Sequence, residues 1–153
     1  MSWLLRIAHP IRRRLMALVG WRTRGVKVMV FDAAGRVLLV RHAYGRSDLY
    51  MLPGGGMARG ETAAIAAARE LREETGISLR DVTPIGQFEA RAEGRRDTVH
   101  LFAATTGDDP QPDRREVIEA CFFALDHLPD ALSPATRRRL DERAGRRAFD
   151  GRW

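Results

Sequence analysis

Three consecutive glycines followed by a charged helical segment constrain the fold of this chain more than any other feature. The stretch LPGGGMARGETAAIAAARELREETGI spans residues 52–77. Pro53 and the glycines at 54–56 end a strand in a loop, because residues without side chains let the backbone approach another group closely. Residues 62–74 favour a helix, and Gly76 stands where a C-terminal cap is expected. A helix bounded at both ends is therefore predicted directly after the loop.

The glutamates of this helix fall on one narrow face. Glu70, Glu73 and Glu74 stand at positions i, i+3 and i+4, which a helix of about 3.6 residues per turn brings to the same side. Like charges at this spacing destabilise an isolated helix by roughly 0.2–0.5 kcal/mol per pair. Two explanations stay open: Arg69 and Arg72 neutralise a solvated acidic face, or divalent cations such as Mg²⁺ bind the carboxylates.

The residues around these glutamates resemble the signature of the Nudix hydrolases. From Gly55 the chain reads G, five residues, E, seven residues, R, E, an aliphatic residue, any residue, E, E, any residue, G and an aliphatic residue. All nine specified positions match within 23 residues, which makes a chance match very rare. The resemblance extends loosely over residues 24–143. It implies an α/β/α sandwich with a mixed β-sheet, and an enzyme that hydrolyses a nucleoside diphosphate linked to another group with Mg²⁺ or Mn²⁺.

The resemblance also implies roles for individual residues. It implies four metal ligands: the side chains of Glu70, Glu73 and Glu74, and the backbone carbonyl of Gly54. Arg69 is expected to orient the glutamates through ion pairs, and Glu61 is expected to stabilise the junction of loop and helix. The predicted catalytic set is Glu70, Glu73, Arg69 and Glu116.

The general base can lie inside or outside the motif. Family members differ in the carboxylate that takes the proton of the attacking water, and some use one outside the motif. Glu116 is our candidate because it stands where a loop enters a late strand. Glu119 and Glu93 are the alternatives, and each of the three is otherwise a surface charge.

Substrate contacts are predicted in residues 41–50, RHAYGRSDLY, just before the glycine loop. Arginine pairs with phosphate, and aromatic rings stack on bases. We therefore predict that Arg41, Arg46 and Tyr50 contact a small nucleotide, with surface or packing roles as the alternative. Two further functions stay open: removal of pyrophosphate from RNA 5′ ends, and a Nudix-like module that binds a nucleotide without cleaving it.

The net charge of +6 does not by itself indicate a nucleic-acid partner. Residues 1–27 hold seven basic and no acidic residues, and residues 137–153 hold seven basic and three acidic ones. Residues 28–136 hold twelve basic and seventeen acidic residues, so the body of the chain is acidic. Of the 26 basic residues 25 are Arg, which we interpret as a compositional bias. Nucleic acid is thus a disfavoured partner that stays open.

Residues 1–23 are predicted to form an extra basic amphipathic helix, since apolar residues recur there at helical spacing. This helix either docks on the body, contacts an anionic membrane peripherally, or contributes to a homodimer. It lacks the apolar core and cleavage site of a signal peptide. Together with the single cysteine of the chain, this predicts a cytoplasmic protein. Residues 24–143 are predicted to form the Nudix domain and residues 144–153 a C-terminal tail.

The remaining elements are predicted from apolar runs and turn signals. Two Val/Leu-rich runs within residues 25–42, joined by DAAG, predict an antiparallel pair. Further strands are expected at 49–52, 83–91, 98–105 and 117–125. Ser133 and Pro134 predict the N-cap and first residue of a C-terminal helix.

Overall fold

The fold is taken from a computed structural model, which describes residues 24–92 and 95–153. The strands are β1 (Arg24–Phe31), β2 (Val37–His42), β3 (Tyr50–Met51), β4 (Thr83–Ala92), β5 (Arg95–Thr105) and β6 (Val117–Phe123). The helices are α1 (Ala63–Thr75) and α2 (Pro134–Arg143). The predicted N-terminal helix falls on residues 1–23 and lies outside the described residues.

The six strands form one mixed sheet. β1 and β5 are parallel, in register from Arg24↔Thr98 to Phe31↔Thr105. β4 is antiparallel to β5, and β6 is antiparallel to β2. The prediction of a mixed sheet is therefore confirmed.

The glycine loop lies in a gap between β1 and β2. These two strands are antiparallel, as predicted, but in the described chain they pair only at Phe31↔Val37, beside the DAAG turn. Beyond that point they separate, and β3 pairs with β2 on one side of the gap. On the other side, the N–H groups of Val26 and Val28 donate to the carbonyls of Gly55 and Pro53, at 2.9 and 3.0 Å. The loop is thus held by both strands.

The two helices cover opposite faces of the sheet, which gives the predicted α/β/α arrangement. Along β1, Val26, Val28 and Val30 belong to the core that packs against α1. Met29 and Phe31 belong to the core that packs against α2. Since side chains alternate along a strand, β2 likewise directs Val40 and His42 towards α1, and Leu39 and Arg41 towards α2. Each face has its own buried cluster.

Both helices begin and end close to the predicted residues. The hydroxyl of Thr62 accepts a hydrogen bond from the N–H of Ile65 and caps α1. Gly76 adopts φ 73°, and its N–H donates to the carbonyl of Arg72, which confirms the predicted C-terminal cap. Ser133 caps α2 and Pro134 is its first residue, as predicted.

The last residues pair with the free edge of β4. The N–H of Glu89 donates to the carbonyl of Gly151, and the N–H of Trp153 donates to the carbonyl of Glu89, both at 2.9 Å. The division of the chain at residue 143 stays a prediction.

Among the described residues, no helix has both the length and the apolar character needed to cross a membrane.

Candidate active site

Arg69 is the hub of the charged cluster on α1. Its Nε and Nη2 donate to the two carboxylate oxygens of Glu61, each at 2.8 Å. Its Nη1 donates to Glu70 at 2.9 Å and to Glu73 at 3.3 Å. Nη2 also donates to the carbonyl of Gly56 at 3.0 Å. The planar guanidinium therefore joins three carboxylates of the motif to the glycine loop.

Glu61 connects the loop to the middle of the helix. In addition to Arg69, its carboxylate accepts a hydrogen bond from the N–H of Ala58 at 2.8 Å. The hydrogen bonds from the Arg69 guanidinium lower the pKa of Glu61 to about 2. Glu61 in turn raises the pKa of Arg69. This pair is charged at neutral pH and joins the loop to α1.

Glu70 and Glu74 are buried beneath the glycine loop, with 6% and 2% of their surface exposed. The N–H of Gly54 donates to Glu74 Oε2 at 2.8 Å, and His42 Nε2 lies 3.7 Å from Glu74 Oε1. A Cβ atom on Gly55 would lie only 2.4 Å from Glu70 Oε2. The loop therefore packs directly against the carboxylates, whereas the side chain of Glu73 is 45% exposed.

The carbonyl of Gly54 contacts Lys27, a residue that the sequence gave no reason to select. Lys27 Nζ donates to the carbonyls of Leu52 and Gly54, each at 2.9 Å. By the alternation of β1, Lys27 reaches the loop from the α2 face, opposite the glutamates. The role of the Gly54 carbonyl as a metal ligand stays a prediction, and the structure shows this oxygen accepting from an ammonium group.

Carboxylates from two parts of the chain line one open cleft. They are Glu70, Glu73 and Glu74 of α1 together with Asp113 and Glu116, which precede β6. The structure thus brings the candidate base Glu116 to the three motif glutamates. Asp113 was missed, although an aspartate shortly before a strand is a common turn signal. Its Oδ1 accepts hydrogen bonds from the N–H groups of Arg115, Glu116 and Val117.

The NUDIX domain family model matches residues 21–143, most of the chain. The chain belongs to the NUDIX family. A protein of Bacillus subtilis (strain 168) named "Putative 8-oxo-dGTP diphosphatase" is 32% identical over 123 residues, which cover 78% of each protein. The NAD-capped RNA hydrolase NudC of Vibrio vulnificus (strain CMCP6) is 30% identical over 100 residues, 65% of this chain but only 38% of that protein.

A solved structure agrees with the family assignment. The crystal structure of the MutT NUDIX hydrolase from Burkholderia pseudomallei superposes with a TM-score of 0.71 at 27% identity, covering 79% of this chain and 97% of that one. The predicted family, fold class and enzyme class are confirmed. This Nudix protein is a hydrolase of phosphoric anhydride bonds in nucleoside diphosphate derivatives.

The cleft of this Nudix hydrolase has the donor chemistry of a Mg²⁺ or Mn²⁺ site. Carboxylate oxygens are the ligands that these hard cations prefer, and five carboxylates line the cleft. Among the described residues, no group of three or more His, Cys, Asp or Glu side chains is arranged so that it could hold a metal ion. Arg69 and the N–H of Gly54 hold oxygens of the predicted ligands. The residues fit a metal site once these oxygens turn towards the cleft.

The predicted substrate residues lie outside this cleft. Arg41 Nη2 is 3.0 Å from Glu119 Oε2, and its guanidinium lies 5.9 Å from the ring centre of Tyr50. Hydrogen bonding to Glu119 raises the pKa of Arg41, and burial is the main cause that raises the pKa of Tyr50. Arg46 is largely exposed and lies 3.4 Å from Asp48. Substrate contacts by these three residues stay a prediction.

The two alternative bases differ from Glu116 in position. Glu119 pairs with Arg41 in the β2–β6 register, so it projects on the α2 face of the sheet, away from the motif glutamates. Glu93 lies outside the described residues. Of the two candidates that the structure describes, Glu116 lines the cleft and Glu119 does not.

Proposed function

We propose that the protein is a divalent-metal-dependent hydrolase that cleaves the diphosphate linkage of a small nucleoside diphosphate derivative. One observation supports this proposal above the others. Five carboxylates, from α1 and from the loop before β6, line a single cleft of about 250 Å³. A diphosphate is itself an anion, so this cleft can accept it only when cations offset the charge.

Glu70, Glu73 and Glu74, with the carbonyl of Gly54, would hold Mg²⁺ or Mn²⁺. Such an ion offsets phosphate charge and lowers the pKa of bound water. Arg69 keeps the glutamates in place through its ion pairs with Glu70 and Glu73. Glu70 and Glu74 are buried, which limits how far their side chains would have to move when an ion binds.

Glu116 would act as the general base. It takes a proton from water as the water oxygen forms a new bond to phosphorus and the bridging P–O bond breaks. The products are two molecules that each carry a phosphate group. Glu116 lines the cleft from the β6 side and the proposed ligands line it from α1, so a water held in the cleft would lie between base and ligands.

Arg41, Arg46 and Tyr50 would bind the rest of the nucleotide. Arg41 and Tyr50 lie together beside Glu119 and outside the cleft, so they would contact the part of the nucleotide that extends beyond it. Arg41 would then exchange its ion pair with Glu119 for phosphate, and Tyr50 would stack on a base. Arg46, on the exposed loop after β2, is free to reach a ligand because its side chain is 71% exposed and its contact with Asp48 is long, at 3.4 Å. An oxidised deoxynucleoside triphosphate is one candidate substrate, in view of the name of the Bacillus relative.

A substrate panel tests this proposal. The purified protein is incubated with Mg²⁺, Mn²⁺ or EDTA and with nucleoside triphosphates (8-oxo-dGTP included), nucleotide sugars, ADP-ribose and dinucleoside polyphosphates. We expect metal-dependent release of a nucleoside monophosphate or of a phosphate product from at least one of them. Tight binding of a nucleotide without turnover of any would instead indicate a non-catalytic module and contradict the proposal.

Cleavage at RNA 5′ ends is a second candidate function. The similarity to an NAD-capped RNA hydrolase favours it, as do the arginine-rich termini. Contacts with an RNA backbone would make binding fall steeply as salt rises. The test compares NAD-capped and triphosphorylated RNA with mononucleotides across a salt series. A flat salt dependence together with faster turnover of mononucleotides would rule this candidate out.

A further inference from the structure

We infer that Asp113 is a positioning residue, which presents the Glu116 carboxylate to the cleft by capping the loop before β6. Asp113 acts through the hydrogen bonds that its Oδ1 accepts. This inference rests on the proposed role of Glu116 as general base. In it, Asp113 acts as a hydrogen-bond acceptor, and its negative charge is not required.

One oxygen of Asp113 holds three successive residues. Oδ1 accepts from the N–H groups of Arg115 and Glu116 at 3.0 Å and from the N–H group of Val117 at 2.9 Å. A side chain that binds backbone groups two to four residues ahead fixes the loop in a turn. The backbone of Glu116 is thereby anchored on its amide side.

The carbonyl side of Glu116 is anchored as well. Its oxygen accepts a hydrogen bond from the N–H of Ala43 at 2.9 Å. Ala43 directly follows His42, the last residue of β2, whose ring lies 3.7 Å from Glu74. With its N–H held by Asp113 and its carbonyl by Ala43, the backbone of Glu116 is fixed at the place where its side chain lines the cleft.

The loop also contains a costly backbone conformation. Arg114 has φ 58° and is the one residue other than glycine, within the described ranges, with a positive φ. L residues adopt this region rarely, and such a conformation persists where the surrounding structure holds it. The N–H of Arg114 donates to the carbonyl of Val117 at 2.9 Å, and the Asp113 hydrogen bonds close the same turn.

The alternative is that Asp113 serves as a further acidic ligand in the cleft. The two roles make different demands on the side chain. Asparagine offers the same Oδ1 acceptor but carries no charge, whereas alanine offers neither. Asp113→Asn therefore separates a capping role, which it preserves, from a ligand role, which it weakens.

The experiment measures kcat and KM for Asp113→Ala, Asp113→Asn, Glu116→Gln and the double variant Asp113→Ala/Glu116→Gln, at saturating Mg²⁺ with the best substrate of the panel. Asp109→Ala is the matched control, because Asp109 is an exposed carboxylate in the same segment. We expect Asp113→Ala to lower kcat by roughly tenfold or more with KM changed much less. We expect Asp113→Asn and the control to stay within about threefold of wild type. In the Glu116→Gln background, Asp113→Ala should cause no further loss.

Two readouts do not depend on turnover. Amide hydrogen exchange at residues 115–117 should rise in Asp113→Ala and stay low in Asp113→Asn, and Mn²⁺ affinity, followed by electron paramagnetic resonance, should be unchanged in both. An Asp113→Asn variant as slow as Asp113→Ala, a loss that adds to Glu116→Gln, or a fall in Mn²⁺ affinity would overturn the inference. So would Asp113→Ala with wild-type kcat.

The failure of the proposed function would look different. A wild-type protein that hydrolyses no substrate contradicts the proposed function, while the exchange experiment still tests the cap. A Glu116→Gln variant with the wild-type rate removes Glu116 as base, and the inference with it, but leaves the hydrolysis intact.

Discussion

At the scale of single residues, Arg69 explains how a helix tolerates its crowded glutamates. One guanidinium pairs with Glu61, Glu70 and Glu73. Arg69 therefore neutralises part of the charge on this face of the helix. The single positive charge of Arg69 does not balance its three carboxylate partners, so the cluster keeps a net negative charge. A divalent ion would balance that negative charge.

The Glu61–Arg69 pair predicts a pH dependence of stability. The pKa of Glu61 is lowered from 4.5 to about 2 in the folded protein. A lowered pKa stabilises the fold above about pH 4.5, and this stabilisation is lost as the pH falls towards 2. We expect a loss on the order of 2 kcal/mol, since Arg69 is partly exposed. Urea unfolding at pH 7 and pH 3 measures it.

The variant Glu61→Gln isolates this effect. It should lose less unfolding free energy than wild type between the two pH values. Asp48→Asn is the control, because Asp48 and Arg46 are both about two-thirds exposed and such pairs contribute little. Equal pH dependence in wild type and Glu61→Gln would contradict the prediction.

The motif residues could be predicted from sequence because their spacing carries the information. Contacts that depend on distant parts of the chain could not. Lys27 contacts Gly54, which lies 27 residues further along the chain. His42 of β2 approaches Glu74 of α1. Asp113 joins the cleft only because the sheet places the end of β2 beside the start of β6.

At the scale of elements, the glycine loop is shaped by its neighbours one residue at a time. Gly54 has φ 134°, and a Cβ atom there would lie 2.2 Å from the carbonyl oxygen of Val26. At Gly55 the obstacle is the Glu70 carboxylate, at 2.4 Å. A Cβ atom on Gly56 would meet nothing within 4 Å. The three glycines are therefore not equivalent.

Alanine substitutions should reveal this order. Gly54→Ala should lose about 3 kcal/mol or more of unfolding free energy, because backbone must move. Gly55→Ala should displace Glu70 and lower activity more than stability, since a side chain moves more easily than backbone. Gly56→Ala, the internal control, should stay within about 0.5 kcal/mol. Urea unfolding and turnover of each variant measure these effects, and a Gly56→Ala variant as unstable as Gly54→Ala would contradict the assignment.

The elements themselves were largely predictable, but their pairing was not. The DAAG turn and the apolar alternation indicated β1 and β2 correctly. The residues of β1 and β2 do not by themselves show that the two strands separate beyond Phe31↔Val37 and leave room for the loop. That separation depends on the pairing of β1 with β5 and of β2 with β6. The two-residue strand β3 is shorter than the predicted 49–52 for the same reason, since it pairs only where β2 is open.

At the scale of the whole molecule, the C-terminal residues complete the core on the α2 face. Arg139 of α2 is almost fully buried, pairs with Glu142 at 2.8 Å and lies 4.0 Å above the ring of Phe88. Trp153 packs edge-on against Phe88, with ring centres 5.8 Å apart. The tail therefore packs on the Nudix domain.

The roles predicted for residues 1–23, in membrane contact, in a homodimer or in docking, stay predictions, as does the cytoplasmic location.

Removal of the terminal ring should destabilise the whole domain. Trp153→Ala should lower the unfolding free energy by about 1–3 kcal/mol, less than for a fully buried ring because Trp153 keeps some exposure. Arg152→Ala removes an exposed neighbour and should change it little. Urea unfolding of the two variants compares them directly. Equal stability of Trp153→Ala and wild type would show that the tail is not part of the core.

In the proposed function, the α1 carboxylates hold the metal ion that supports hydrolysis of the phosphoric anhydride bond. The most direct measurement is the Mg²⁺-dependent kcat of Glu73→Gln with the best substrate of the panel. Glu73 suits the test because its side chain is 45% exposed, so its replacement should leave the fold intact. The control is Glu89→Gln, an exposed glutamate on β4. We predict a loss of roughly a hundredfold or more for Glu73→Gln and none for the control. A Glu73→Gln rate within a few-fold of wild type would contradict the claim.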